Sequence, residues 1–214
     1  MMNTVEQKVA DFFGAYRLRK FAKGQVLVFS GEKPTSIYYL VAGRVKVYDV
    51  TNNGEEIILN VFKETAFFPM SRIIIEEPSQ FIFEAETDIE VRIAPGVDVL
   101  PFVQANNDVL FDLMCRVYSG VDGIMGRAAH LMAGTARDRL IYELLIEAKR
   151  FGKETAVGYE LSLFEKDLGA RAGLSRETVS REMHKLKTAG LVSVHNKVLS
   201  VPSIDKLKEL LVKD

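Results

Sequence analysis

The sequence of 214 residues predicts an α+β protein: short β-strands first, then one long self-pairing helix, then a helix–turn–helix. Three observations predict it. From Tyr16 to about Ile93, apolar and polar residues alternate with period two between punctuating glycines. From Asp108 onward, apolar residues recur alternately four and three apart. In Leu161–Val194, two helical patterns meet at a sharp break.

Residues 3–15 read as a short helix with Val5, Val9, Phe12 and Phe13 on one side. The pairs Val26 and Val28, the set Ile37, Tyr39 and Val41, and the pair Val45 and Val47 then alternate with polar residues. Gly24, Gly31, Gly43 and Gly54 divide these runs, and Asn53–Gly54 is a hairpin-turn signal. Many short strands at regular spacing predict a sandwich or barrel.

Leu110, Met114, Val117, Val121, Ile124, Ala128 and Leu131 form an a/d seam over three heptads, the pattern of a two-stranded coiled coil. The competing reading is a helix buried against its own sheet domain. Gly120, Gly123 and Gly126 interrupt this helix, each costing about 1 kcal/mol relative to alanine. They permit close helix approach or soften the helix; the spacing does not choose. Residues 133–136 read as a hinge, Arg137–Arg150 as a helix with Leu140, Ile141, Leu144 and Leu145 inward, and Phe151–Gly158 as a loop. A last helix, capped by Ser203, carries Ile204, Leu207, Leu210 and Leu211.

The helix–turn–helix is written in its caps. Ser162 and Glu165 match a capping box for a helix from about Phe164 to Ala172, with Leu168 inward. Gly173 supplies a turn that needs left-handed backbone. Ser175 is the N-cap of the next helix, which runs to about Thr188 and ends at Gly190. Val179, Met183 and Leu186 form its inner face. Arg176, Glu177, Ser180, Arg181, His184 and Lys185 lie opposite, and the helix carries four cations (Arg176, Arg181, Lys185, Lys187) against two acids (Glu177, Glu182). Such a face suits the DNA major groove, where Arg grips guanine bidentately and Glu accepts from cytosine. The plain alternative is a solvated helix face. After it, Val192–Val194 and Val198–Val201 alternate around His195–Asn196–Lys197, a short hairpin.

Composition agrees with a local DNA contact. Apolar content of 48%, charge of 27% and a net charge of −1 describe a soluble globular chain that is not basic throughout. One cysteine rules out an intrachain disulfide framework. No apolar run approaches the roughly 20 residues that span a bilayer, and MMNTVEQKVADFF does not read as a signal peptide; a cytoplasmic location is the expectation.

The stretch LSRETVSREMHKLKTAGLVSV resembles the recognition helix and following strand of the Crp/Fnr family of bacterial transcription regulators. Glu177, Ser180 and Arg181 form E-x-x-S-R, which resembles the Fnr branch more than the Crp branch, where glycine usually occupies the place of Ser180. KGQVLVFSGEKPTSIYYLVAGRVKVYDVTNNGEEIIL is similar to the same family's cyclic-nucleotide-binding-type jelly roll. The resemblance spans about residues 16–201. It implies an N-terminal β jelly roll (1–107), a long dimerisation helix with hinge (108–135) and a C-terminal winged helix–turn–helix (136–214). It further implies a homodimer through the 108–132 helix, double-stranded DNA as target and RNA polymerase as a partner. The candidate DNA-binding residues are Ser175, Arg176, Glu177, Ser180, Arg181, His184, Lys185 and, in the wing, Lys197. The half-site implied by the E-x-x-S-R branch is TTGAT, repeated as an inverted palindrome.

The family's effectors lack their parts here. In cyclic-nucleotide-binding relatives, a Gly-Glu pair and an Arg-Ser pair hold ribose and phosphate. Here Pro69 and Met70, then Ser79 and Gln80, stand in those places, with Arg72 the cation nearby. The adenine-contacting positions correspond roughly to Ile124 and Met125, both apolar, so no cyclic AMP binding is expected. An Fnr-type iron–sulfur cluster needs several thiolates; Cys115 stands alone and reads as a packed residue. His130 reads as a surface or helix-end histidine and not a haem ligand. Phe67, Phe68, Met70, Arg72, Ile124 and Met125 therefore outline a candidate effector region of unknown ligand, either a pocket or one filled by its own side chains. The pairs Glu55–Glu56 and Glu76–Glu77 read as solvated turns, and with no hydrolase, P-loop or zinc motif present no enzyme activity is expected. The alternative function is a sensor module that binds a small molecule through the jelly roll and DNA only when liganded. A ligand-binding module whose helical tail serves protein contact alone is a further class.

Overall fold

A computed structural model describes residues 4–163, 165–195 and 198–211. The chain runs α1 (Val5–Gly14), β1 (Leu18–Phe21), β2 (Val26–Val28), β3 (Ser36–Ala42), β4 (Val45–Val50), β5 (Glu56–Phe62) and β6 (Phe67–Phe68). There follow α2 (Met70–Ile74), β7 (Ile82–Ala85), β8 (Ile89–Pro95), α3 (Gly96–Ala105) and the long α4 (Asn107–Ala133). After α4 come α5 (Ala136–Phe151), β9 (Lys153–Thr155), β10 (Gly158–Leu161), α6 (Glu165–Ala172), α7 (Arg176–Thr188), β11 (Ser193–His195), β12 (Val198–Val201) and α8 (Ile204–Glu209). Two compact units result, Met1–Gly120 and Val121–Asp214, so the division falls inside α4.

The first unit is a sandwich of two antiparallel sheets, ordered β1-β8-β3-β6 and β2-β7-β4-β5. Leu27, Val28, Leu40, Val45, Val47, Phe68, Phe83 and Val91 fill the space between them. The rings of Phe62, Phe68 and Phe83 stack there, with Phe62–Phe68 centroids 4.8 Å apart. The other face of the first sheet (Ile37, Tyr39, Phe67, Ala94) is covered by Val9 and Phe13 of α1, Val99 and Val103 of α3, and Val109 of α4. Strand β3 is thus buried on both faces. A bulge between Leu40 and Ala42 ends its strict alternation, which leaves Val41 38% exposed instead of grouped with Ile37 and Tyr39. The pair Glu55–Glu56 is not wholly turn: Glu56 opens β5 and accepts from Lys46 at 2.7 Å.

In the second unit, α5, α6, α7 and α8 pack with a four-stranded sheet ordered β11-β12-β10-β9 around one core of Leu140, Ile141, Leu144, Leu161, Leu168, Val179, Met183, Leu186 and Leu207. The predicted wing hairpin is present as β11–β12, pairing Ser193 with Ser200 and His195 with Val198. The stretch expected as a loop after α5 is different. Phe151 ends the helix, and residues 153–161 form a second hairpin, β9–β10. Lys153 and Glu154 carry no apolar alternation to announce a strand; pairing with β10 makes it one. Leu210 lies past the end of α8 and is exposed, while Ile204, Leu207 and Leu211 meet the core as expected.

Candidate nucleic-acid interface

Local chemistry builds the presenting helix. Gly173 takes φ +62°, and the Leu174 N–H reaches back to the Gly169 carbonyl at 3.0 Å. Gly169 is needed there, because a Cβ would lie 2.8 Å from the Leu174 oxygen. Ser175 then caps α7, its hydroxyl accepting from the Thr178 N–H at 3.2 Å and donating to Thr178 Oγ1 at 3.0 Å. At the other end, Gly190 takes φ +68°; its N–H bonds the Lys187 carbonyl and that of Leu191 the Leu186 carbonyl, both at 3.0 Å. That double closure is a Schellman motif, and glycine alone enters it without strain. The cap expected from Ser162 and Glu165 adjoins Phe164, which lies outside the described residues; Glu165 faces Lys187 at 3.7 Å, tying α6 to α7.

Val179, Met183 and Leu186 are buried, which turns Arg176, Glu177, Ser180, Arg181, His184 and Lys185 outward together. Glu182 does not share the exposed face with the other charged residues of the helix. It is buried beneath the face, accepts from Lys185 Nζ at 2.8 Å and lies 4.0 Å from Arg181 Nε. Glu177 is therefore the exposed acid of α7, while Glu182 pairs from beneath with Lys185 and Arg181. Arg181 Nη2 is 3.5 Å from Thr178 Oγ1, and its side chain remains 67% exposed. Lys197, expected at the tip of the wing, lies outside the described residues.

Two ion pairs of the second unit, one buried and one partly buried, were not anticipated. Arg171 of α6 pairs with Glu147 of α5, both almost wholly buried. Arg127 of α4 grips Glu143 of α5 through two bonds of 2.5 and 3.0 Å. The signal was present in α5: Glu143 and Glu147 fall on the helical face shared by Leu140, Leu144 and Ala148. Beside the second pair, the Tyr142 ring stacks on His130 at 4.2 Å. Burial, then the charge of Glu143, raises the Tyr142 phenol above its ordinary value, so it stays a neutral donor. His130 is a half-buried helix-end residue whose Nδ1 lies 2.8 Å from the Gly126 carbonyl.

The candidate effector residues divide between the units. Phe67, Phe68 and Met70 are buried in the clusters of the first. Arg72 lies 3.9 Å from Glu77. Ser79 is buried and spends its polar groups on its own loop and on the β2–β3 connection: Oγ donates to the Phe81 carbonyl at 2.7 Å, N–H to the Glu32 carbonyl at 2.8 Å, and its carbonyl accepts from Gly31 N–H at 2.7 Å. This is not the donor set that a ribose phosphate requires. Ile124 and Met125 belong to the second unit and are exposed. Cys115, read from the sequence as packed, is exposed on α4, whose face there carries no cover within the chain. Among the described residues, no three His, Cys, Asp or Glu side chains gather as a metal site, and no helix is long and apolar enough to cross a membrane.

Residues 18–106 match the family described as cyclic nucleotide-binding domain, and residues 138–210 the Crp-like helix-turn-helix domain. The chain belongs to the Crp/Fnr family of transcription regulators. Crp/Fnr members similar to it include the cAMP-activated global transcriptional regulator CRP of Pasteurella multocida, 25% identical over 92% of this chain and 96% of that one. The HTH-type transcriptional regulator ArcR of Staphylococcus aureus is 28% identical over 82% of this chain and 75% of its own length. Among solved Crp/Fnr-like structures, a CooA mutant from Carboxydothermus hydrogenoformans superposes with a TM-score of 0.81 at 18% identity, covering 99% of this chain and 98% of that one. FixK2 from Bradyrhizobium japonicum gives 0.79 at 20% identity, covering 94% and 99%. These likenesses carry the fold: a mixed chain with an N-terminal β-sheet domain, a long helix and a C-terminal helix–turn–helix.

Proposed function

We propose that this DNA-binding regulator acts as a homodimer on a TTGAT-like inverted repeat and does so without cyclic AMP. The exposed face of α7, set opposite the buried row Val179, Met183 and Leu186, carries this reading. Glu177, Ser180 and Arg181 read base edges, Arg176 meets a base edge or a phosphate, and Lys185 and Lys197 meet phosphates. Ser175 sets the N-terminus of the helix, and His184 extends the same face by one turn. Support for the homodimer is the row Leu110, Met114, Val117, Val121, Ile124 and Leu131, exposed along α4 at heptad spacing. Support for cyclic AMP independence is the engaged Ser79, the buried Met70 and the pairing of Arg72 with Glu77. RNA polymerase is the further partner this reading implies, and the cytoplasm the place.

Fluorescence anisotropy of the bare protein, on a TTGAT palindrome and a scrambled duplex at one fixed salt concentration, tests it. Tighter binding to the palindrome is the expected result. Equal, weak binding to both duplexes that becomes specific on adding cyclic AMP overturns the independence. Equal binding that cyclic AMP leaves unchanged overturns the half-site.

A further inference from the structure

We infer that Glu182 is a positioning residue for base reading: from beneath the exposed face it holds Arg181 and Lys185, and it keeps Arg181 off Glu177. The role rests on the base reading proposed above for Glu177 and Arg181; the pairing that produces it stands without DNA.

Helical spacing offers Arg181 two acids. Glu177 precedes it by four residues, the spacing at which a carboxylate and a cation meet on a helix surface. Glu182 is its immediate neighbour, and neighbours do not face each other on a regular helix. Burial reverses the choice. Glu182 lies three residues after Val179 and four before Leu186, both buried, so it flanks the inner row and its side chain is 9% exposed. From there Oε1 accepts from Lys185 Nζ at 2.8 Å and lies 4.0 Å from Arg181 Nε. Glu177 has no ion pair among the described residues.

A carboxylate taken out of water needs cations to meet it, and these two do. Thr178, Arg181, Glu182 and Lys185 fall at i, i+3, i+4 and i+7, one stripe between the inner row and the exposed face. The cap anchors the stripe: Ser175 Oγ donates to Thr178 Oγ1 at 3.0 Å, and Arg181 Nη2 lies 3.5 Å from the same oxygen. Arg181 is thus approached at Nε and Nη2, while Nη1 has no partner among the described residues. An exposed arginine samples many rotamers, and ordering it on binding weakens affinity. Glu182 and Thr178 restrict those rotamers beforehand. Lys185 loses nothing by the arrangement, since an ammonium with one hydrogen on Glu182 keeps two for a phosphate. With Glu182 neutral, Arg181 turns to Glu177, and the two base-reading groups occupy each other.

Glu182→Gln removes the charge while keeping the side chain's shape and an acceptor for Lys185. Its effect is read on two duplexes at one fixed salt concentration: the TTGAT palindrome, and the same palindrome with the guanine of each half replaced by adenine. The ratio of the two affinities is expected to fall roughly tenfold in Glu182→Gln. In an Arg181→Ala background the same change is expected to leave the ratio as it is. Glu182→Leu, which fills the flank with apolar volume, gives the same fall, so the conclusion survives if Glu182→Gln does not fold. Loss of both affinities together with the ratio intact, or a fall that persists without Arg181, overturns the positioning role. The pairing has a readout without DNA, the nitrogen resonance of Arg181 Nε. Glu182→Gln is expected to shift it and Glu177→Gln to leave it in place, whereas in the Glu182→Gln background Glu177→Gln is expected to shift it. A resonance that follows Glu177 and ignores Glu182 in the otherwise wild-type chain overturns the inference. A wild type that does not discriminate between the duplexes removes the proposed base reading, and the resonance then decides the pairing by itself.

Discussion

Arg181 is 67% exposed on a face whose other side is core, so a guanidinium there has little to do for the fold. Arg181→Ala is expected to cost about 1–3 kcal/mol per subunit on the specific palindrome and little on a scrambled duplex. Equal losses on both duplexes make it a phosphate contact. Arg171 is the reverse. It is buried against Glu147, and its loss strands a carboxylate inside the unit. Arg171→Met alone is expected to destabilise by about 3–5 kcal/mol in urea unfolding, and adding Glu147→Leu to recover most of that. No recovery shows that the pair is needed for more than neutralising one charge. Arg181 is legible as exposed from its helical face, whereas the burial of Arg171 depends on what α5 places opposite.

Among the elements, α7 was legible to the residue. Its cap, its closing glycine and its inward row all depend on neighbours within five positions, where backbone geometry is local. The jelly roll was legible as strands but not in every face, since the bulge at Val41 arises from pairing with β8. The hairpin β9–β10 was illegible for the same reason. The start of α4 gives a test at this scale. Asp108 pairs with Lys8 of α1 at 2.5 Å, and that hydrogen bond holds its carboxyl below the ordinary value of 3.8. A depressed folded value stabilises in full above 3.8 and loses that contribution as pH falls below it. Urea midpoints of wild type and Asp108→Asn, measured between about pH 5 and about pH 3, should therefore converge on acidification. A constant difference shows that the ion pair does not anchor the helix.

For the whole molecule, the row of exposed apolar residues on α4 is a face without cover inside one chain. The inverted repeat proposed above calls for two α7 helices, and this row is the surface proposed to hold them. Val121→Glu puts two like charges into the seam and is expected to yield monomers in sedimentation. Affinity for the palindrome then falls to that for a single half-site, with the second unit still folded by circular dichroism. A dimer that survives Val121→Glu places its interface elsewhere.

The amino-acid sequence by itself determined the strand and helix periods, the helix–turn–helix with the cap and closing glycine of α7, and the apolar row along α4. Each is a repeat or a signal spanning a few residues, written in the geometry of adjacent backbone. Tertiary structure decided which charges are buried and which glycines meet a neighbour within the chain. Glu143 and Arg171 meet their partners, Arg127 of α4 and Glu147 of α5, only in the folded chain, and Glu182 is buried although its row of α7 also carries charge. Gly120 and Gly126 look alike in one helix; Tyr142, sixteen residues beyond the second, distinguishes them by filling the space beside it.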